Sequence, residues 1–328
     1  MSESMQGKRR QATVVWSVSC LVLLAAGLAY GDFGSLFAKA AARISPAAVF
    51  ATVPGHVAAV LLYTAALTMF GSGVSYLGCL AARLLRDAVD NLVVILPGLG
   101  EVICARALVL AGARSHAAVT ATMLDKITET LAHLPFVALA GFLLIKHWAG
   151  AGGGAWSMPS LVTVFAGFAL VAAAVMLAGV LMRATRGLPG RIAARIRREL
   201  RIVAAEYREQ KRGIPRAFVL HVLARAMDGV QVWMIAMTFG LQLGFYEALV
   251  VASAANAARV ILFFVPAGLV AQEAGFVAGG LLFGIAAPQA LTLSLVMRLR
   301  DVVFGVPLLV WPVLEYRHGR KPRANPAQ

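Results

Sequence analysis

Apolar runs of roughly membrane-spanning length alternate along this chain with short basic segments. A 30 Å hydrocarbon core needs about 20 apolar residues of helix, so a chain of this kind has few folds open to it. The runs cover residues 12–30, 55–80, 116–148, 159–182, 216–241 and 288–314. Of the 328 residues, 60% are hydrophobic and 14% are charged, against about a quarter charged in soluble domains. A soluble fold of this size could not hide so much apolar surface, and the excess must face lipid. The expected fold is an all-α integral membrane protein, a single membrane domain over residues 1–328.

The net charge of +15 comes from 30 Lys and Arg against 15 Asp and Glu. The basic residues cluster between apolar runs, the positive-inside pattern, and so argue for orientation and contact with anionic headgroups. Nucleic acid is not an expected partner. Residues 183–216 hold eleven Arg or Lys and three Glu, and form an expected cytoplasmic loop. Within it Ile192, Ile196, Leu200, Val203 and Tyr207 recur at helical spacing, which predicts an amphipathic helix on the inner leaflet surface. Lys8-Arg9-Arg10 precede the first run. That run is long for a signal peptide, and Gly27-Leu28-Ala29 is a poor cleavage site, so it reads as a retained first helix. Residues 31–54 read as a short external amphipathic segment. The run at 55–80 ends at Arg83 and Arg86, which places that end in the cytoplasm by the same rule. The tail at 317–328, with Arg317, Arg320, Lys321 and Arg323, is expected there too.

Two segments break the pattern. Residues 87–96 are a short apolar run, Pro97-Gly98-Leu99-Gly100 interrupts it, and 101–112 form a second short run. Residues 247–265, the break Pro266-Ala267-Gly268 and residues 272–285 repeat the arrangement. Half-length helices around a Pro/Gly break predict re-entrant hairpins, which a membrane tolerates where protein or water satisfies the loop backbone. An offset of 172 carries Glu101 to Glu273, Gly112 to Gly284, Thr120 to Thr292, Lys126 to Arg298 and Glu129 to Asp301. The sequence therefore predicts a repeat, with one unit over about 87–148 and the other over about 246–314. About six spans plus two re-entrant hairpins put both termini in the cytoplasm. The same parity inverts the second unit, as in many secondary transporters.

Ionisable residues inside a membrane are costly and point to function. Lys126 and Glu129 share a helix face, as do Arg298 and Asp301, and Arg225 and Asp228. Glu101, Gln272 and Glu273 lie beside the breaks, and Arg259 lies just ahead of the second. Mutual neutralisation that glues helices together is the plainer account, and it suits Arg225/Asp228 best. For the charges that recur at both breaks, handling of an anionic lipid headgroup or a proton is the alternative. Cys20, Cys79 and Cys104 form no CxxC pattern, and the six His are scattered singly. No metal site, cofactor or catalytic constellation is expected.

The run Leu96-Pro97-Gly98-Leu99-Gly100-Glu101, followed by Arg106-Ala107, Gly112 and Ala121-Thr122 ahead of Asp125-Lys126, resembles the flippase-like membrane region of lysylphosphatidylglycerol synthases and their stand-alone relatives. That family typically shows Glu-Arg-x-x-Asp on the next helix, where this chain has Asp125-Lys126-x-x-Glu129, a charge-preserving departure. Residues 266–275, with Gln272-Glu273, resemble the family's second Gly-rich turn, though two of its glycines are replaced. Val232-Trp233 after Asp228, Arg298-x-Arg300-Asp301, and Gly305-x-Pro307 look most like the HpnL-like proteins associated with hopanoid biosynthesis. The resemblance covers nearly the whole chain.

It implies a lipid-handling protein of a bacterial inner membrane, with membrane lipids, hopanoids among them, as partners. The expected activity is lipid translocation at a site between inverted units. Glu101, Arg106, Lys126, Glu129, Arg259, Gln272, Glu273, Arg298, Arg300 and Asp301 are the expected headgroup- or proton-handling residues. Aminoacyl transfer resides on a separate soluble domain in this family and is not expected here. The competing readings are a non-catalytic scaffold that docks lipid-biosynthesis proteins on the 183–216 loop and, with less support, a lipid-modifying enzyme.

Overall fold

The computed structural model describes residues 33–92, 98–139, 208–261 and 269–318, with Arg198, Arg201 and Ala205 singly. The described residues are helical, without strands among them. In chain order they form α1 (Phe33–Ala41), α2 (Pro46–Thr68), α3 (Tyr76–Leu92), α4 (Leu99–Leu110), α5 (Ser115–Leu131), α6 (Ile214–Thr238), α7 (Phe245–Ile261), α8 (Leu269–Leu281) and α9 (Ala287–His318). The expected first helix at 12–30, the span at 159–182, the surface helix at 192–207 apart from three residues, and the tail beyond 318 lie outside the described residues.

Local chemistry sets the helix starts. Ser45 caps α2 by accepting the Ala48 N–H, and Pro46 follows at the first helical position, where no donor is needed. Ser75 does the same for α3 through the Gly78 N–H. At α7 and α9 the third residue reaches back, Glu247 to the Gly244 N–H and Gln289 to the Ala286 N–H. The run expected at 55–80 is therefore two elements. α2 starts inside the segment taken as an external loop, carries Pro54 within it, and stops at Thr68. The long helix expected at 116–148 is interrupted after Leu131 by a turn at Ala132–His133. Pro135 follows that turn and has no N–H to continue the ladder.

Both broken segments are pairs of packed helices, α3 with α4 and α7 with α8. The first arms are each 17 residues, about 26 Å of helix, and the second arms 12 and 13 residues. The first arm is longer than the sequence suggests because α3 begins at Tyr76 rather than Asp87. α4 ends when Ala113 donates to the Leu108 carbonyl around Gly112 at φ 108°, and α8 ends when Ile285 donates to Gly280 around Gly284 at φ 73°. Only glycine takes these left-handed angles cheaply. The two glycines are 172 residues apart, and so are the starts of α5 and α9.

The described parts of Met1–Ala51, Pro135–Leu170 and Gly229–Met297 make one compact unit, and those of Thr52–Leu134, Val171–Asp228 and Arg298–Gln328 the other. The first has an apolar core of Val232, Ile235, Val251, Ala255, Phe276, Leu293 and Val296. The second packs Leu67, Cys79, Leu85, Cys104 and Leu108 together. On α5 the exposed large apolar side chains are Val119, Met123, Ile127 and Leu131, an outward stripe at steps of four residues. On α9 Val302, Val303, Val306 and Val310 are exposed as well. Apolar residues outward and charges inward is the polarity of a chain solvated by lipid.

Two described helical stretches are long and apolar enough to cross a bilayer, Pro46–Thr68 and Arg208–Thr238. α9, at 32 residues, exceeds a bilayer core in length but carries Arg298, Arg300 and Asp301 in its middle.

Small residues let the α7–α8 pair close. A Cβ on Gly275 would stand 2.5 Å from Ala255 Cα and 2.8 Å from the Ala254 carbonyl oxygen, so the helices touch backbone to backbone. Gly275→Val should lower unfolding stability by about 1–3 kcal/mol, the range for overpacking a close contact. Thermal melting of the purified protein in detergent reads this directly. An unchanged melt would mean the helices are not in this contact.

Candidate functional site

α3 carries Arg83, Arg86, Asp87 and Asp90, so each arginine has a carboxylate one turn on. Arg83 Nε lies 2.9 Å from Asp87 Oδ1, and Arg86 Nε 3.6 Å from Asp90 Oδ2. These contacts orient the guanidinium groups, whose Nη ends point to α5. There Asp125 and Glu129, also one turn apart, receive them. Arg86 Nη1 donates to Asp125 Oδ2 at 2.6 Å and its Nη2 to Glu129 Oε2 at 2.5 Å. Arg83 donates to Glu129 Oε1 at 3.2 Å and to Asp125 Oδ2 at 3.4 Å. The two carboxylates thus clamp two adjacent guanidiniums. Arg86 and Asp125 are essentially inaccessible, at 1% and 0% exposure.

Three further elements close the cluster. From α4, Glu101 Oε1 stands 3.5 Å from Arg86 Nη2 and 2.8 Å from Lys126 Nζ. From α6, Arg225 bridges Asp228 at 2.9 Å and Glu129 at 3.6 Å. One turn earlier on α6, His221 Nε2 lies 3.0 Å from Asp125 Oδ1, a charge contact off the line of a hydrogen bond. From α2, the Tyr63 ring supports Arg83, whose guanidinium carbon lies 4.1 Å from the ring centroid. Gly100 at the start of α4 is what admits Asp90, since a Cβ there would overlap the Asp90 carboxylate.

Arg83, Arg86, Lys126 and Arg225 face Asp87, Asp90, Glu101, Asp125, Glu129 and Asp228. The site is graded in depth. Asp125, Arg86 and His221 are dry, whereas the side chains of Asp90 and Lys126 are 28% and 44% exposed. Tyr63 Oη and His221 Nδ1 are buried with no hydrogen-bond partner among the described residues.

Of the residues expected from sequence, the structure brings Glu101, Lys126 and Glu129 into this one cluster. Lys126 reaches Glu101 and Asp90 on neighbouring helices, so the charges join elements rather than closing on their own helix. Arg106 is exposed on α4. Gln272 and Glu273 are buried on α8, where Glu273 Oε1 accepts from Ser294 Oγ at 3.5 Å, and Arg259 is half-buried on α7. On α9, Arg298 is half-buried, and Arg300 donates to the adjacent Asp301 at 2.5 Å.

Arg83 and Arg86 correct the sequence reading. They do not follow the end of one continuous helix over 55–80, since α2 stops at Thr68 and both lie inside Tyr76–Leu92. They are buried mid-helix, because five carboxylates on three helices compensate them. Asp125 and His221 also belong to the site, although neither was singled out for it. The signal available was the spacing. Arg83/Asp87 and Arg86/Asp90 lie four apart, as do Asp125/Glu129 and His221/Arg225, each pair on one helical face. Among the described residues no group of three or more His, Cys, Asp or Glu is placed to hold a metal ion.

Removing one partner from a buried charge pair typically costs about 3–5 kcal/mol, whereas an exposed pair contributes at most about 1 kcal/mol. Arg86→Met should therefore destabilise the protein strongly and Lys126→Gln only slightly. Denaturant unfolding of the two variants checks the contrast. Equal losses would show that the depth gradient is not real.

The family model described as the lysylphosphatidylglycerol synthase TM region matches residues 11–308. No curated protein and no solved structure matches the chain.

Proposed function

The chain belongs to the family of lysylphosphatidylglycerol synthase membrane regions and is thus an all-helical membrane protein related to lipid metabolism or transport, and from that premise we propose that it is a lipid translocase of a bacterial inner membrane. The observation that carries the proposal is the pair of neighbouring guanidiniums, Arg83 and Arg86, held by Asp125 and Glu129 in a dry site with a polar mouth at Asp90 and Lys126. A buried ion network is often less stable than an apolar core of the same volume, so folding alone does not explain it. Arginine binds phosphate with the same fork geometry as carboxylate. A lipid phosphate can therefore replace a carboxylate on Arg83 or Arg86 without leaving either charge bare. Lys126 at the mouth is the first cation such a headgroup meets.

The substrate class is a hopanoid, another polycyclic isoprenoid lipid, or an aminoacylated or related phospholipid. The HpnL-like features of the sequence favour the first. The topology proposed is about six spans with two re-entrant hairpins, α3–α4 and α7–α8, and both termini in the cytoplasm. The repeat has units of about 87–148 and 246–314, and span parity inverts the second. The matched offsets of Gly112 with Gly284 support the repeat. The 183–216 loop is the surface on which lipid-biosynthesis proteins would dock.

Two measurements test this. Headgroup-labelled phospholipid in proteoliposomes should scramble with the wild type and slow by at least about tenfold, or 1.4 kcal/mol of barrier, with Arg86→Gln or Arg83→Gln. Lys126→Gln, at the exposed end, is the variant best placed to fold normally and should also slow transport. Equal rates in all four proteins would remove the site from transport. For the topology, single cysteines at Gly98 and Gly268 should react with impermeant reagent from opposite sides of the membrane. Labelling of both from one side would defeat the inversion.

A further inference from the structure

His221 Nε2 and Asp125 Oδ1 lie 3.0 Å apart in the buried cluster. Asp125 Oδ1 is an acceptor, and a bare imine nitrogen is another. Two lone pairs repel at 3.0 Å, so the tautomer with hydrogen on Nε2 suits this neighbour better, although the contact is off the line of a hydrogen bond. That assignment leaves Nδ1 as a lone-pair nitrogen in the neutral ring. His221 is 1% exposed, and neither ring nitrogen has a hydrogen-bond partner among the described residues, Nδ1 having no charged neighbour at contact distance either. A buried acceptor without a donor carries an uncompensated desolvation cost. The vacant valence is therefore a place where a proton can be added.

The groups around the ring come from four helices. Tyr63 of α2 faces it, with ring centroids 5.5 Å apart and a hydroxyl that also lacks a partner. α3 supplies Arg83 and Arg86, and α5 supplies Asp125 and Glu129. On its own helix Arg225 follows one turn later and Asp228 after that. One added proton on the ring makes this neighbourhood more positive by one charge. Asp125 is the shared group, since Oδ1 faces His221 while Oδ2 holds Arg86 at 2.6 Å and Arg83 at 3.4 Å.

We propose that His221 is a buried proton-binding site that takes a proton from water at Nδ1 and, as imidazolium, competes for Asp125, loosening its hold on Arg86 and Arg83 so that both can bind an anionic headgroup. The step adds one proton to the imidazole and breaks no covalent bond. The consequence for headgroups rests on the transport reading above, whereas the proton site itself rests only on the cluster geometry.

The test has two arms on the full-length protein in lipid. In the first, 15N-histidine-labelled protein in nanodiscs is titrated over about pH 5 to 8. The His221 signal is assigned by its absence in His221→Gln. The expected result is an Nε2–H ring that gains a second proton at Nδ1 as pH falls. Asp125→Asn, which keeps the side-chain shape, should shift that titration to lower pH. A ring that keeps one protonation state throughout, or one that titrates identically in Asp125→Asn, overturns the proposal. In the second arm, scrambling of a labelled phospholipid should rise roughly tenfold across the same range in the wild type, a typical size for coupling between sites. His221→Gln should flatten the profile, while His116→Gln, away from the cluster, should keep it. A wild-type profile retained in His221→Gln overturns the coupling. If no protein scrambles lipid at all, the transport reading fails, and the titration still decides the proton site.

Discussion

The clamp of Asp125 and Glu129 on Arg83 and Arg86 is the interaction on which the described second unit depends. Taking a single charge out of water costs several kcal/mol even after relaxation, and only close, multiply hydrogen-bonded partners offset it. Here the offset comes from five helices. α3 supplies the cations and α5 the central carboxylates. α4 adds Glu101, α6 adds His221 and Arg225, and α2 adds the Tyr63 ring. Four of these elements are fixed by a charge they cannot leave unpaired, and α2 by the ring that covers Arg83. The surrounding apolar contacts do not specify position in the same way, because lipid and Leu are similar solvents for a methyl group.

This arrangement inverts the usual order of a globular interior. The outward face of α5 is the stripe Val119, Met123, Ile127 and Leu131, and its inward face carries Asp125 and Glu129. A helix so built is at rest only with lipid on one side and opposite charges on the other. The same logic reaches α4, whose second residue, Gly100, lets the Asp90 carboxylate lie against the positive end of the helix without a capping hydrogen bond. The site and the hairpin are therefore one construction, and Asp90 serves both.

Much of the architecture was legible because it depends on local rules. The Pro/Gly break at 97–100, the run after it and the turn at Gly112 follow from proline chemistry and left-handed glycine, and α4 occupies Leu99–Leu110 as expected. Boundaries set by capping were less legible. The continuous hydropathy of 55–80 concealed the end of α2 at Thr68 and the fresh start at Ser75. The site was legible in part. Glu101, Lys126 and Glu129 stood out as charges inside apolar runs. Arg83 and Arg86 lie at the end of one, where the positive-inside rule gives arginine an ordinary meaning. His221 stood alone in the sequence, and Tyr63 is an unremarked aromatic in an apolar helix.

What the sequence by itself determined is the class of solvent and the grammar of the helices. Its apolar excess requires lipid, its Pro/Gly break and Gly112 bound α4, and its spacings of three and four put opposite charges on common faces. What only the tertiary structure decided is which charges meet. Asp125 takes Arg86, Arg83 and His221 from residues 39 to 96 positions away, and Lys126 turns to Glu101. Spacing along one helix fixes direction, but pairing in a low dielectric depends on distances between helices. Those distances are set by the close approach that glycines such as Gly100 permit.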